Sequence, residues 1–284
     1  MHNYYQTRPK AHTQAEANAS RSISSAVCQL LYAGKEYGMD IDLILMFAAR
    51  VATFLLVIPL HESAHAWVAK KLGDDTAEQQ GRISLSPFVH FDLFGTLLMI
   101  LTGFGWAKPV PVNPLRFSKV KKNGKKVSMR GGMALTALAG PVSNLIAAFL
   151  SGLVYNIILC TQAGRTALLQ MNAGNIVIGD KSYAFLSAAE LLLQYLFIVN
   201  VGLAVFNLIP IPPLDGFNVL RYFTSEKVDR WFYEHQMIIT RVFFALLLLM
   251  TFIPVIGSPL SVVSGFVCDL LWKAVSWIPE VFGR

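Results

Sequence analysis

The run LILMFAARVATFLLVIPL occupies residues 43–60, and the pentapeptide HESAH follows it directly at residues 61–65. An apolar run of this length forms most of a membrane-spanning helix, because about 20 apolar residues cross the hydrocarbon core. HExxH is a helix-borne zinc-binding motif, and residues four apart lie on one face of a helix. His61 and His65 can therefore contact one metal ion, with Glu62 beside them. The stretch predicts a metal centre inside a bilayer or at its edge, where ionisable side chains are costly and usually functional.

The composition is that of a membrane protein. Hydrophobic residues make up 54% of the chain and charged residues only 14%, whereas a soluble domain carries about a quarter charged residues. The run at residues 43–60 includes one charged residue, Arg50. Three further runs contain no Asp, Glu, Lys or Arg and are long enough to cross a bilayer: residues 131–164, 191–214 and 242–268. We expect an all-α polytopic membrane protein with about five to six transmembrane helices.

Changes in amino-acid composition along the chain predict three regions. Residues 1–40 are rich in polar side chains without helical periodicity, which is typical of a disordered tail. Residues 41–220 contain the HESAH stretch and most of the apolar runs, and we expect them to form the functional core. Residues 221–284 are expected to add C-terminal membrane helices.

The net charge of +7 is concentrated in the segment from Lys108 to Arg130, which connects two apolar stretches. Such a cluster is typical of a cytoplasmic loop under the positive-inside rule, and it argues against nucleic-acid binding. The loop can be cytoplasmic only if the short stretch Leu93–Phe104 does not make a full crossing. We therefore expect a re-entrant or β-hairpin segment between the HExxH helix and the next helix.

The HESAH stretch alone also fits a helix with two surface histidines, so a further ligand elsewhere is the deciding feature. The sequence NLIPIPPLDG at residues 207–216 ends one of the apolar runs. Its three prolines rule out regular helix, and irregular backbone at membrane depth is tolerated where it lines a cavity. Asp215 can supply the third protein ligand of a catalytic zinc, or it can be an ordinary capping residue after a helix terminator.

The sequence AGPVSN at residues 139–144 lies inside another apolar run. Small residues allow helices to approach closely in lipid, and Pro141 frees a backbone carbonyl. Asn144 is a polar side chain that needs a partner at this depth. Close helix packing and a role in a site both remain open for this segment.

Together these three motifs, in this order, closely resemble the site-2 protease family of intramembrane zinc metalloproteases. The segment GWAKPVPVNP at residues 105–114 fits the compact bacterial-type branch that has no PDZ insertion. The resemblance covers about residues 41–220. It implies a zinc metalloendopeptidase that cleaves substrate transmembrane segments, in a bacterial inner membrane with the active site toward the cytoplasm. Membrane proteins with a transmembrane helix, together with the bilayer, are the implied partners, and nucleic acid is not.

The resemblance also implies a role for each motif residue. One Zn²⁺ per chain would be held by the three ligands His61, His65 and Asp215. Glu62 would be the general base acting on a zinc-activated water, and Asn144 would position substrate or oppose charge on the tetrahedral intermediate. Asn207 is a weaker candidate for the same kind of role. His90 and Asp92 could be a second metal site or part of the substrate entrance, and we expect them to form a local polar pair outside the catalytic set.

Two other functions compete with proteolysis. A protease-like membrane protein could bind transmembrane helices without cutting them. The absence of a metal ligand or of Glu62 from the sequence would indicate such a protein. A zinc transporter would carry metal ligands on several spans and a repeated architecture. The complete ligand set and the lack of a visible repeat favour the protease.

Overall fold

The computed structural model describes residues 41–96, 106–118, 126–172, 181–252 and 254–283. In these ranges the regular elements are all helical, which confirms the predicted all-α fold class. The polar tail predicted at residues 1–40 lies outside the described residues. The predicted divisions at residues 40 and 220 stay predictions.

The helices are named in chain order. They are α1 (Ile41–Leu72), α2 (Thr76–Gln79), α3 (Met129–Leu159), α4 (Gln162–Asn172), α5 (Lys181–Asn207), α6 (Asp215–Phe223), α7 (Glu226–Phe252), α8 (Pro254–Lys273) and α9 (Ile278–Phe282). Two 3₁₀ turns, Pro87–Val89 and Pro114–Arg116, lie in the connection between α2 and α3.

Within the described residues, four stretches are long and apolar enough to cross a membrane: Phe47–Leu72, Met129–Leu159, Tyr183–Asn207 and Pro259–Phe282. The first three belong to α1, α3 and α5, and the fourth runs from α8 to the end of α9. The 31 residues of α3 extend about 46 Å at 1.5 Å per residue, which exceeds the hydrocarbon thickness. The helices thus support a multi-pass membrane protein, while the count of five to six spans stays a prediction.

Helix α3 is the centre of the bundle, because α1, α5 and α6 all pack against it. Its contact with α5 and α8 includes the buried residues Ala148, Phe197, Val201 and Cys268. Small side chains on α3, such as Ala148, bring the helix axes close together, which is how helices associate in lipid. This arrangement places the ends of α1 and α5 against the first half of α3.

The connection after α2 turns back on itself. Phe91 forms an isolated antiparallel bridge with Ala107, and the backbone N–H of Lys108 donates to the carbonyl of His90 at 2.8 Å. Both ends of the segment predicted to re-enter therefore lie side by side. Residues 93–96 are helical, and residues 97–105 lie outside the described residues.

Candidate metal centre

Two histidines on α1 form one wall of the site. His61 and His65 are 6% and 8% exposed, and their ring planes meet at 85° with centroids 4.6 Å apart. Their Nε2 atoms lie 3.0 Å from each other. The four-residue spacing has placed both rings on one helix face, as the sequence predicts.

Asp215 reaches the two histidines from the far side of the Pro-rich turn. Helix α5 ends at Asn207 and α6 begins at Asp215, so the turn directs the first residue of α6 back toward α1. The Oδ2 atom of Asp215 lies 3.2 Å from Nε2 of His61 and 3.3 Å from Nε2 of His65. The ligand atoms of the three side chains all lie within 4.8 Å of one another.

A glycine makes the sharp entry into α6 possible. A Cβ on Gly216 would overlap the backbone carbonyls of Leu208 and Ile209. The glycine that follows Asp215 therefore permits the close backbone approach expected from the sequence. A larger residue at this position would displace Asp215 from the histidines.

The hydrogen bond of Nδ1 in each imidazole determines whether the Nε2 atom that faces Asp215 carries a proton. The Nδ1 atom of His65 lies 2.7 Å from the backbone carbonyl of Thr136, which can only accept, so Nδ1 of His65 is the donor. Nδ1 of His61 lies 2.5 Å from Oδ1 of Asn144 and donates to it. Both neutral imidazoles then present an unprotonated Nε2 to the centre of the site.

This donor set fits a cation. Two Nε2 lone pairs and a carboxylate oxygen converge with no hydrogen between them, which is electrostatically unfavourable without a positive charge. The Oδ2 atom of Asp215 is buried, and no donor among the described residues satisfies it. Two imidazoles and one carboxylate, with room for a fourth ligand, are the protein ligands of a catalytic zinc.

Helix α3 approaches the imidazoles through a glycine. A Cβ on Gly140 would overlap Nε2 of His65 and Cε1 of His61, and Pro141 beside it is fully buried. The AGPVSN segment therefore provides the close helix contact that its small residues predict. The same segment places Asn144 against His61, whereas the catalytic role expected for Asn144 stays a prediction.

Glu62 follows His61 on α1 but is not one of the three converging ligands. Its charge acts on Arg82 and His90, which lie in the connection after α2. Burial lowers the pKa of Arg82, and the Glu62 carboxylate partly opposes this shift. Arg82 itself donates to the carbonyls of Lys108 and Pro109. The connection therefore places a positive charge within electrostatic range of the glutamate.

His90 and Asp92 do not pair with each other. Nε2 of His90 donates to the carbonyl of Ser84 at 2.7 Å and lies 3.4 Å from Oγ of Ser63 on α1. Burial lowers the pKa of His90, which favours its neutral form. Asp92 instead accepts from the backbone N–H of Gly95. The expected polar pair is therefore wrong, because the turn after α2 gives each residue its own partner.

Two further asparagines, Asn207 and Asn200, have contacts that the sequence did not indicate. The side-chain amide of Asn207 donates to the carbonyl of Leu203 in its own helix. Asn200, which the sequence reasoning missed, is buried and contacts Asn144. A polar side chain in a charge-free apolar run was the available signal, as it was for Asn144.

In this fold, a HExxH helix meets a distant aspartate inside a bundle of membrane-length helices. This arrangement defines the class of membrane-embedded metallopeptidases. A family comparison agrees, because the model of peptidase family M50 matches residues 49–250. The chain belongs to peptidase family M50, and the resemblance to site-2 proteases is thereby confirmed.

Two curated proteins are similar over much of the chain. The Bacillus subtilis (strain 168) protein named "Putative zinc metalloprotease YwhC" is 39% identical over 170 residues, which cover 60% of this chain and 66% of that protein. The Mycolicibacterium smegmatis (strain ATCC 700084 / mc(2)155) protein named "Putative zinc metalloprotease Rip2" is 25% identical over 190 residues, which cover 65% of this chain and 61% of that protein. The chain thus spans just under two thirds of these relatives. No solved structure matches the chain.

Proposed function

We propose that this protein is an active zinc metalloendopeptidase that cleaves the transmembrane segments of other membrane proteins. The convergence of His61, His65 and Asp215 between membrane-length helices carries the proposal. Membership of peptidase family M50 and the names of both relatives support the same chemistry.

Each residue of the site has a distinct task in this proposal. His61, His65 and Asp215 would hold one zinc ion per chain. Zinc in such a site acts as a Lewis acid and makes a water nucleophilic at neutral pH. Glu62 follows His61 without joining the three ligands, and in this proposal its carboxylate would accept a proton from the attacking water and pass it to the leaving amine.

Both ends of the Asn144 side-chain amide are hydrogen-bonded. Its Oδ1 faces His61 and its Nδ2 donates to Asn200. These contacts favour a role in orienting His61, and an oxyanion role would require the amide to leave Asn200. The assignment of Asn144 to substrate or intermediate therefore stays a prediction.

The substrate class follows from the surroundings of the site. His61 and His65 lie within the membrane-length stretch of α1, and Thr136 and Gly140 lie within that of α3. Both helices also expose large apolar side chains, including Leu56 and Ile146. A peptide that reaches the site from the lipid must itself be apolar, which is the property of a transmembrane segment.

The proposed orientation places the site toward the cytoplasm. The end of α1, the start of α3 and the turn after α5 meet at one end of the bundle. Basic residues are concentrated at this end, among them Lys70, Lys71, Lys108, Arg116, Arg130 and Arg221. The paired ends of the segment between Phe91 and Ala107 support a connection that does not cross the membrane. By the positive-inside rule this end is cytoplasmic, and we propose the bacterial inner membrane as the location.

Cysteine labelling in intact cells tests this orientation. Lys108→Cys and Gln162→Cys lie at opposite ends of the bundle and are introduced in a background that lacks Cys28, Cys160 and Cys268. A membrane-impermeant maleimide should label position 162 and not position 108. Labelling of position 108 from outside would invert the topology.

The activity is tested by zinc analysis together with cleavage. Wild-type protein and Glu62→Gln should each contain about one zinc per chain, and Asp215→Ala should contain less. Asp269→Ala removes an exposed carboxylate on α8 and is the control for zinc content. Transmembrane peptides reconstituted in liposomes should be cut by the wild type and not by Glu62→Gln.

Three results would contradict the proposal. A folded wild type that contains no zinc after supplementation would favour a protein that binds transmembrane helices without cutting them. Equal cleavage by the wild type and Glu62→Gln would remove Glu62 from the reaction. Zinc bound without any cleavage of the peptides would again favour the binding function.

A further inference from the structure

A chain of three hydrogen bonds connects α5 to the imidazole of His61. The side-chain Nδ2 of Asn200 donates to the backbone carbonyl of Leu196 at 2.7 Å. Nδ2 of Asn144 donates to Oδ1 of Asn200, also at 2.7 Å. Oδ1 of Asn144 then accepts from Nδ1 of His61. All three side chains in this chain are buried.

The direction of this chain is fixed at its α5 end. The carbonyl of Leu196 can only accept, so the nitrogen of the Asn200 amide must face it. Oδ1 of Asn200 then faces Asn144 and requires a donor, which orients the Asn144 amide. His61 in turn meets an acceptor and must carry its proton on Nδ1. The backbone carbonyl of Leu196, three hydrogen bonds away, thereby selects the tautomer of the His61 imidazole.

We propose that Asn200 is a positioning residue that sets the tautomer and ring orientation of His61 through Asn144, and thereby the zinc affinity of the site. The inference rests on the proposed function, in which His61 is a zinc ligand through Nε2. It adds a residue on a third helix that is not one of the three converging ligands. Partners of metal-bound histidines commonly act in this way.

The contacts of Asn200 distinguish this role from simple helix packing. Packing in lipid needs only a small or apolar side chain at such a position. Asn200 is 1% exposed, and both ends of its amide have a specific partner. Without an acceptor at residue 200, the Asn144 amide is free to turn over and present its nitrogen to His61. Nδ1 of His61 would then have to accept, and the proton would move to Nε2.

Three substitutions at residue 200 separate these effects. Asn200→Leu removes both hydrogen bonds while keeping a side chain that branches at Cγ. Asn200→Ser can still bond the carbonyl of Leu196 within its own helix but is too short to reach Asn144. Asn200→Asp, when neutral, offers a hydroxyl donor to Leu196 and a carbonyl acceptor to Asn144, which reproduces the asparagine pattern.

The matched control is Asn156→Leu on α3. Asn156 is 2% exposed, and its Nδ2 donates to the carbonyl of Gly152 four residues earlier, as Asn200 does to Leu196. It has no contact with the histidines among the described residues. Its substitution removes a buried asparagine of the same kind at the other end of the bundle.

The experiment measures the dissociation constant for zinc by competition with a chelator in detergent, beside thermal unfolding of the metal-free protein. Asn200→Leu and Asn200→Ser should weaken zinc binding by about 10- to 100-fold, and Asn200→Asp should restore most of it. Asn156→Leu should bind zinc as the wild type does. The metal-free variants should differ little from this control in melting temperature.

Each outcome is decisive for one of the two proposals. Wild-type zinc affinity in Asn200→Ser would overturn the role of Asn200, even if Asn200→Leu does not fold. Equal weakening in Asn156→Leu would assign the effect to general loss of structure and would also overturn it. If His61→Ala binds zinc normally, the proposed metal centre fails instead, whatever the variants at residue 200 do.

Discussion

Gly140 lies so close to His65 that a Cβ at this position would overlap the Nε2 atom of the imidazole. Gly140→Ala should therefore displace one of the two histidines and weaken zinc binding by about tenfold or more, as loss of ligand orientation does. The control is Gly202→Ala on α5, where a Cβ would meet nothing within 4 Å. Chelator competition measures both variants, and equal zinc affinities would contradict the predicted approach of α3.

Zinc removal should lower the thermal stability of the protein. Without a cation, the Nε2 atoms of His61 and His65 face each other and the carboxylate of Asp215 with no charge compensation. Bound zinc should stabilise the folded state by about 4 kcal/mol when its free concentration is 1,000 times the dissociation constant. Melting curves with and without chelator check this, and Asp215→Ala should remove most of the difference. A chelator-independent melting temperature in the wild type would contradict it.

Acid should weaken the junction between α6 and α7. Asp229 accepts from Arg221 and from Arg130, and the hydrogen bond of Arg221 is the main reason that the pKa of Asp229 is lowered. A pKa below the unfolded value means that the ionised form stabilises the fold. This contribution is present above about pH 4, the ordinary range of an aspartate, and is lost as the pH falls through the folded pKa.

Asp229→Asn should accordingly melt at a lower temperature than the wild type at pH 7, and the difference should shrink below about pH 4. Asp75→Asn is the comparison, because Asp75 pairs with Arg116 at 2.8 Å on an exposed surface and such pairs contribute little. Thermal unfolding across a pH series measures both. A constant difference between the wild type and Asp229→Asn at every pH would contradict the ionic role.

Replacement of Glu190 by glutamine should preserve or raise the melting temperature. Glu190 is fully buried in α5, and neither carboxylate oxygen has a hydrogen-bond partner among the described residues. A buried charge without a partner is far more costly than a neutral amide of the same shape. Glu280→Gln, at an exposed position in α9, should leave the melting temperature unchanged. A clear fall for Glu190→Gln alone would indicate that the carboxylate has a stabilising partner.

Much of the site could be predicted because its chemistry is carried by short motifs. The spacing of His61 and His65 fixes them on one helix face, and Asp215 was the carboxylate that completed a zinc ligand set. The small residues around Gly140 indicated a close helix approach, which the structure places against the imidazoles.

Asn200 could not be predicted in the same way. Helix α5 is apolar on nearly every side, so hydrophobic periodicity does not indicate which face turns toward α3. Its contact with Asn144 depends on how far the two helices are shifted along each other, which a single sequence does not specify. The separate partners of His90 and Asp92 depend likewise on the turn after α2, where Ser63 and Ser84 come together.

The distribution of the ligands along the chain has a consequence for biosynthesis. Among the described residues, the HExxH helix is the first of four membrane-length stretches, and Asp215 follows the third. A nascent chain that has inserted only α1 and α3 holds two histidines without their carboxylate. The ribosome must therefore translate past the Pro-rich turn before the three side chains can meet, and the proposed peptidase would be inactive while its later helices are still being inserted.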